Sequence, residues 1–175
     1  VRRFLAPATG AEDWAAVVAL GSAQIDIALG IHPWFVDGQP ADALDKLAQH
    51  LHAYPQALVG EIGLDFHPNC RHNAAAQSAC FEAQLQLAQS LQRPIVLHNL
   101  KADAACLAGI RRCGFTQVVV GSSGGIDSAL TLALAAEALG PQNVVGITMP
   151  SRYSSSGSVD DSVALCRNLG IELKT

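Results

Sequence analysis

Short hydrophobic runs alternate along this chain with longer segments in which apolar residues recur at helical spacing. The short runs are rich in Val, Ile and Leu, as expected of strands that are buried on both faces of a parallel sheet. A helical pattern follows each of the first six runs, which predicts an α/β fold with a parallel sheet flanked by helices. The pattern is compatible with a partial barrel or with an open doubly wound sheet. The predicted strands are FLAP at 4–7, IDIALGI at 25–31, ALVGEIGL at 57–64, PIVLH at 94–98, QVVVG at 117–121, NVVGITMP at 143–150 and IELK at 171–174.

Two local features refine this prediction. Thr9 and Glu12 have the spacing of a capping box at the start of the first helix. No low-complexity linker interrupts the alternation of strands and helices. We therefore expect one continuous sheet rather than two independent domains.

Composition narrows the class of protein. Half of the 175 residues are hydrophobic and 15% are charged, which predicts a sizeable core. The net charge of −4 argues against a broad basic face for nucleic acid, though not against a local site. No apolar run is long enough to span a bilayer and no signal-peptide pattern opens the chain, so no membrane partner is expected. Five cysteines without a Cys-x-x-Cys spacing favour reduced thiols in a cytoplasmic protein.

Polar residues stand where several predicted strands end. IALGI is followed by His32, ALVG by Glu61, PIVL by His98 and QVVV by a Gly/Ser-rich loop. The carboxyl ends of parallel strands meet on one face, where the active sites of such folds are built. We therefore expect these four features on one face, although a strand end is also an ordinary place for a polar residue.

The loop GSSGGIDSAL at 121–130 lies between a predicted strand and a predicted helix. Such a turn brings free backbone N–H groups and the positive end of a helix to one spot, which favours an anion, usually phosphate. It is not a Walker A loop, because no Lys lies between positions 102 and 173, and its glycines do not follow the dinucleotide-binding order. The alternative is a tight strand-to-helix turn capped by Asp127.

The segment SGGIDSA at 123–129 resembles the pyrophosphate loop of ATP-dependent adenylating ligases, and the continuation through MPSRYSSSG resembles the synthetase part of NAD synthetases. The resemblance covers about residues 118–175 and implies a Rossmann-like, adenine nucleotide alpha hydrolase-like fold. It also implies the use of ATP and Mg²⁺ to adenylate nicotinic acid adenine dinucleotide, after which ammonia displaces AMP. The implied nucleotide-binding residues are Ser122, Ser123, Gly124, Gly125, Asp127, Ser128 and Arg152, with Asp127 also a ligand of Mg²⁺.

Three motifs of the first two thirds, GIHPWF, VGEIGLDF and RPIVLHNLKADA, together resemble the TatD family of metal-dependent hydrolases, which are TIM barrels with nuclease activity. The resemblance covers about residues 2–117 and implies that Glu61 and His98 are metal ligands, whereas His32 lies near the site without being a predicted ligand. Carboxylate and imidazole groups suit Zn²⁺, Mn²⁺ or Mg²⁺. Two protein ligands are fewer than the three typical of catalytic sites, so weak metal binding is expected.

The sequence therefore predicts two joined parts, a partial TatD-like barrel at 1–117 and an ATP-binding segment at 118–175. We expect the loop to bind a nucleotide or pyrophosphate without complete catalysis, because both families use further residues outside the matched segments. The alternatives are an active metal-dependent phosphodiesterase or DNase, a ligase completed by another chain, and a folded chimera without function. A nucleic acid is expected only at the TatD-like part, and a homodimer is left open.

Overall fold

The computed structural model describes residues 4–70, 73–148 and 155–174 of the chain. Strands and α-helices alternate throughout these residues, as the hydrophobic pattern predicts. The strands are β1 (Phe4–Pro7), β2 (Ile25–Leu29), β3 (Leu58–Asp65), β4 (Ile95–Leu100), β5 (Val118–Gly121), β6 (Val144–Ile147) and β7 (Glu172–Lys174). The α-helices are α1 (Trp14–Leu20), α2 (Ala43–Ala53), α3 (Ala74–Ser90), α4 (Asp103–Arg112), α5 (Ile126–Leu139) and α6 (Ser156–Leu169).

The chain folds as two compact units, Val1–Cys113 and Gly114–Thr175. The sheet of the first unit has the order β1-β2-β3-β4, and the sheet of the second has the order β5-β6-β7. Every neighbouring pair in both sheets is parallel. Parallel sheets flanked by helices confirm the predicted fold class.

The described strands form two sheets, whereas the sequence analysis expected one continuous sheet. The second unit also begins at Gly114 rather than at the expected position 118. Hydrophobic periodicity identifies each strand, but it does not record which strands pair, because pairing depends on tertiary packing.

The core of the first unit lies between its sheet and helices α1 to α4. Strand β3 is buried along most of its length on both faces, as its near-continuous apolar sequence predicts. Helix α2 buries Ala43, Leu47 and Leu51, which are four residues apart and therefore share one face. The same unit buries a larger set of residues that includes Trp14, Ile27, Leu29, Ile62, Leu64 and Leu85.

Two buried glutamines on α3 hold the ends of β2 and β3. Gln84 accepts a hydrogen bond from the backbone N–H of Ile31 at 2.7 Å and donates to the carbonyl of Ile31 at 3.1 Å. Gln77 does the same for Asp65, at 2.8 and 3.1 Å. Because the two glutamines are two turns apart on one face of the helix, α3 sets the positions of both strand ends.

The predicted capping box of α1 is wrong. The helix begins at Trp14 after Asp13, and the Asp13 carboxylate accepts hydrogen bonds from the backbone N–H and the hydroxyl of Thr9, at 2.8 and 2.7 Å. The interaction therefore joins Thr9 to a residue one position beyond Glu12. A carboxylate accepts both bonds at once, which closes the turn before the helix.

The second unit has a smaller core, made of residues from α5, α6 and the strands between and after them. It comprises Leu132, Ala135, Ala136, Val144, Cys166 and Ile171. A buried hydrogen bond at 2.8 Å joins the hydroxyls of Ser122 and Ser162, so the segment after β5 is tied to α6. Among the described residues of the whole chain, no helix is long and apolar enough to cross a membrane.

Candidate metal centre

His32 lies just beyond β2, at the start of a 3-10 helix that spans Pro33–Gly38. Its backbone N–H donates to the carbonyl of Thr9 at 2.9 Å, and Gln84 holds the residue before it. The side chain is buried. The strand end and two long-range hydrogen bonds thus fix the imidazole at the edge of the sheet.

Glu61 and His98 lie on the neighbouring strands β3 and β4. The Oε1 atom of Glu61 is 3.4 Å from Nδ1 of His98. Both strands continue past these residues, so Glu61 and His98 lie within strands. The sequence analysis expected them where the apolar part of each strand ends. Gly63, opposite His98 in the parallel register, has a φ of 149°, and a Cβ there would overlap the His98 carbonyl oxygen. Glycine at position 63 therefore permits the close approach of the two strands beside the histidine.

Asp65, at the end of β3, is fully buried and accepts three hydrogen bonds. Its Oδ2 atom lies 2.6 Å from the indole Nε1 of Trp34 and 3.1 Å from Nε2 of His98, and Oδ1 accepts from the backbone N–H of His67 at 2.9 Å. His98 is therefore held between two carboxylates, with Glu61 at one ring nitrogen and Asp65 at the other.

The charges of these groups are coupled. Burial acts to lower the pKa of His98, but the hydrogen bonds and charges of Glu61 and Asp65 outweigh it and raise that pKa. The hydrogen bond with His98 lowers the pKa of Glu61 against the effect of burial. Burial acts to raise the pKa of Asp65, and its bonds with Trp34, His67 and His98 lower it overall. The arrangement favours a cation between the two carboxylates.

His32 differs electrostatically from His98. Burial, and then the charge of His98, lower its pKa, while Glu61 and Asp65 oppose that shift. Its Nδ1 atom accepts a hydrogen bond from the backbone N–H of Trp34 at 3.2 Å, which leaves Nε2 as the protonated nitrogen of the neutral ring. Coordination through Nε2 would require the other tautomer and the loss of that bond, so His32 is the least favourable of the three candidate ligands.

The three residues form a group that is able to hold a metal ion. One ligand atom from each of His32, Glu61 and His98 lies within 4.8 Å of the other two. Two imidazoles and a carboxylate are a donor set that suits Zn²⁺ and related ions. The structure thus places His32 as a third candidate beside the two ligands predicted from the sequence. It also places Asp65 behind His98 as a partner that the sequence analysis did not single out. The sequence signal that could have identified His32 and Asp65 is the polar residue at or just after the end of a strand.

The Gly/Ser loop lies in the second unit. Gly124 has a φ of 79°, and a Cβ there would lie 2.5 Å from the backbone carbonyl oxygen of Ser158. The backbone N–H of Ser123 donates to Oγ of Ser128 at 3.2 Å, and that of Gly125 donates to Oγ of Ser123 at 3.3 Å. The loop therefore satisfies two of its N–H groups with its own hydroxyls.

The other predicted loop residues have different environments. Ser122 is buried, and its hydroxyl is engaged with Ser162. Asp127 is exposed in the first turn of α5, where the residue at the N-cap is Gly125, so Asp127 does not cap the helix. Arg152 lies outside the described residues.

A cavity of about 270 Å³ borders the loop within the second unit. Its wall includes Asp161, an exposed residue of α6. A carboxylate there opposes an anion unless a cation lies between them. The cavity is lined by Ser122, Gly124, Gly125, Ile126, Ala129, Asp161, Ser162 and Leu165.

The chain has parallel β/α units with imidazole and carboxylate groups on adjacent strands. This combination is typical of α/β proteins in which a metal centre carries out hydrolysis. The chain belongs to the TatD related DNase family, whose family model matches residues 1–152. The match continues past the expected limit at 117 and includes β5, α5 and β6 of the second unit.

Solved structures agree with this assignment at the level of fold. The crystal structure of YJJV, a TatD homologue from Escherichia coli K12, matches with a TM-score of 0.67 and 23% identity, covering 100% of this chain and 80% of that one. A TatD family hydrolase from Entamoeba histolytica matches with a TM-score of 0.61 and 11% identity, covering 98% and 79%. At these identities the similarity shows the fold alone.

Curated relatives show the second similarity. A glutamine-dependent NAD(+) synthetase from Synechocystis sp. is 53% identical over 66 residues, which are 38% of this chain and 12% of that protein. The corresponding protein of Thermotoga maritima is 52% identical over 63 residues, 36% of this chain and 11% of its own length. The chain thus spans about an eighth of the length of these relatives, and it combines a TatD-type part with an NAD-synthetase-like segment, as the sequence analysis predicts.

Proposed function

We propose that the first unit binds a divalent metal ion at His32, Glu61 and His98 and hydrolyses phosphodiester bonds of nucleic acids there. The observation that carries the proposal is the convergence of three ligand atoms within 4.8 Å of one another. Three protein ligands leave a coordination position open for water or substrate, as in catalytic zinc sites. The membership in a family of DNases supports a phosphodiester as the substrate.

The side chains have distinct roles in this proposal. Nδ1 of His98 faces Glu61, so these two groups would hold the ion between them, while Asp65 accepts from Nε2–H of the same ring. An outer carboxylate of this kind fixes the tautomer and the orientation of a ligating histidine. A divalent ion bound here would supply Lewis-acid polarisation of the phosphate and a more acidic water molecule.

Metal content and hydrolysis of bis(p-nitrophenyl) phosphate test the proposal. We expect the chain to retain or bind Mn²⁺ or Zn²⁺ and to release p-nitrophenolate only when the metal is present. Glu61→Gln should lose both properties, and Glu12→Gln, a matched change at an exposed carboxylate, should lose neither. A folded chain that binds metal without turnover would instead support the expectation of incomplete catalysis.

We propose as a second function that the loop of the second unit binds pyrophosphate or ATP together with Mg²⁺. The adjoining cavity leaves room for a ligand beside the loop, and the similarity to NAD synthetases supports ATP as the nucleotide. Asp161 in the cavity wall supports a requirement for Mg²⁺, because the cation would offset its repulsion of the phosphates.

Calorimetry with pyrophosphate, with and without Mg²⁺, tests the second function. We expect modest affinity that depends on Mg²⁺, because an anion has to replace the serine hydroxyls at the N–H groups of Ser123 and Gly125. Asp127→Asn should weaken the Mg²⁺-dependent component. Binding that is equally strong without Mg²⁺ would contradict the proposed role of the cation.

A further inference from the structure

Two large aromatic side chains lie exposed beside the candidate metal centre. Trp34 is 57% exposed and Phe35 is 40% exposed, whereas the other tryptophan, Trp14, is 1% exposed. The ring centroid of Trp34 is 5.1 Å from that of His32 and 6.0 Å from that of His98. The ring of Phe35 is 6.0 Å from His32. Exposed aromatic area directly at a candidate catalytic site indicates a surface that binds a ligand.

The exposed indole is held in place. Its Nε1 atom donates to the buried carboxylate of Asp65 at 2.6 Å, and the backbone N–H of the same residue donates to His32. Pro33 precedes Trp34 and restricts the backbone. A ring fixed at its polar edge loses little conformational freedom when a ligand covers its face.

No parallel stacking partner occupies the indole within the described part of the chain. The imidazoles of His32 and His98 meet it at interplanar angles of 78° and 68°, which are edge contacts. The indole therefore keeps a face for a planar group. Planar groups stack on tryptophan in an offset parallel arrangement that these edge contacts do not provide.

We propose that Trp34, with Phe35 beside it, is a stacking platform for an unstacked nucleobase of a single-stranded nucleic acid whose adjacent phosphate lies at the metal centre. The proposal rests on the proposed phosphodiesterase function and names the form of its substrate. One sugar separates a base from its phosphate, so a base on Trp34 brings a phosphate next to His98. A base paired within a duplex presents no free face, so the platform selects single strands or frayed ends.

The charge of the chain supports recognition by stacking. With 11 Lys and Arg against 15 Asp and Glu, the chain has no excess of basic residues to follow a phosphate backbone. Stacking on an aromatic ring is independent of base identity and contributes roughly 5- to 150-fold in affinity per base. Local stacking with a metal-bound phosphate is therefore the mode of binding that fits this composition.

Fluorescence anisotropy with Mn²⁺ and a labelled, hydrolysis-resistant phosphorothioate oligothymidylate tests the platform. An abasic oligonucleotide of the same length supplies the phosphates without the bases. We expect the native chain to bind the base-bearing strand roughly 5- to 150-fold more tightly. Equal affinity for the two strands would overturn the proposal.

Two substitutions separate stacking from the hydrogen bond to Asp65. Trp34→Phe and Trp34→Leu both lose the indole N–H, but only Trp34→Phe keeps an aromatic face. We expect Trp34→Phe to retain most of the preference for bases and Trp34→Leu to lose it, while Phe4→Leu, at an aromatic residue that is 60% exposed elsewhere in the unit, has no effect. Equal loss in both Trp34 variants would overturn the proposal in favour of a positioning role through Asp65.

Hydrolysis of bis(p-nitrophenyl) phosphate, which has no nucleobase, reports the proposed function independently. Base-dependent binding without any metal-dependent hydrolysis would reject the phosphodiesterase and retain the platform. Hydrolysis with no difference between Trp34→Phe and Trp34→Leu in the binding of the base-bearing strand would reject the platform and retain the phosphodiesterase.

Discussion

The candidate metal centre of the first unit and the Gly/Ser loop of the second are built in opposite ways. The centre combines side chains from residue 32 to residue 98, which three neighbouring strands and the helix α3 bring together. The loop lies within seven consecutive residues, 122–128, and needs only a strand before it and a helix after it. A non-local site depends on the whole unit, whereas a local one depends on the backbone of a single turn.

The two regions also differ in what they offer a ligand. The centre places two carboxylates around His98, and a divalent ion would replace a proton between groups that already favour a cation. In the loop, by contrast, two backbone N–H groups already donate to serine hydroxyls of the same loop and are not free for a ligand. The comparison shows that the Gly/Ser motif alone does not make a preformed anion site. A ligand would first have to break hydrogen bonds within the loop. The predictions below contrast the two regions in decreasing order of effect.

The largest effect is expected from Glu61→Ala. The substitution removes the carboxylate that faces Nδ1 of His98, which leaves two imidazoles of which one is already engaged by Trp34. We expect metal affinity to fall by at least about 100-fold, since even outer partners of ligands contribute 10–100-fold. Isothermal titration with Mn²⁺ or Zn²⁺ measures it, and Glu12→Ala is the matched control. Unchanged affinity would show that the ion binds elsewhere.

Asp65→Asn should have the next largest effect on the centre. The amide keeps the shape of the side chain but removes the negative charge. That charge strengthens the hydrogen bonds of Asp65 with His98 and Trp34. We expect metal affinity to fall by about 10- to 100-fold while pyrophosphate binding by the loop is unchanged. The same titration with both ligands measures the contrast. A parallel loss of pyrophosphate binding would indicate that the variant is misfolded.

A pair of alanine substitutions tests the loop. At Gly124 the positive φ and the nearby carbonyl of Ser158 leave no room for a Cβ, so Gly124→Ala should destabilise the second unit by about 1–3 kcal/mol. At Gly125 the backbone has a φ of −91° and the nearest atom is 3.4 Å away, so alanine should cost much less. Denaturant unfolding measures both variants. Equal destabilisation would mean that the turn is not held as described.

The smallest effect is the pH dependence of the metal-free centre. The pKa of His98 is raised in the folded chain, so its contribution to stability is present below the ordinary value of 6.5 and is lost as pH rises through the raised value. The lowered pKa values of Glu61 and Asp65 act only at acidic pH, where their contributions are lost as pH falls. Thermal unfolding above pH 6.5 should therefore show a decline that is absent in His98→Gln. A decline of the same size in that variant would assign the effect to another group.

The sequence by itself determined the alternation of strands and helices, the position of the loop and two of the candidate ligands. Each of these is encoded locally, in the period of hydrophobic residues, in a run of glycines and serines, or in a short motif around Glu61 and His98. The predicted capping box is wrong because the helix begins after Asp13. The carboxylate that binds Thr9 is that of Asp13 rather than Glu12, and since the two side chains offer the same chemistry, only the path of the chain selects Asp13.

Only the tertiary structure decided how these parts combine. It brought His32 into the candidate metal group, placed Asp65 beside His98 and hydrogen-bonded the indole of Trp34 to the Asp65 carboxylate. It also divided the described strands into two sheets. These outcomes depend on contacts between residues that are far apart in sequence, such as the bonds of Gln77 and Gln84 to the ends of β3 and β2. Periodicity reports which face of an element is buried, but the partner that buries it is chosen by packing.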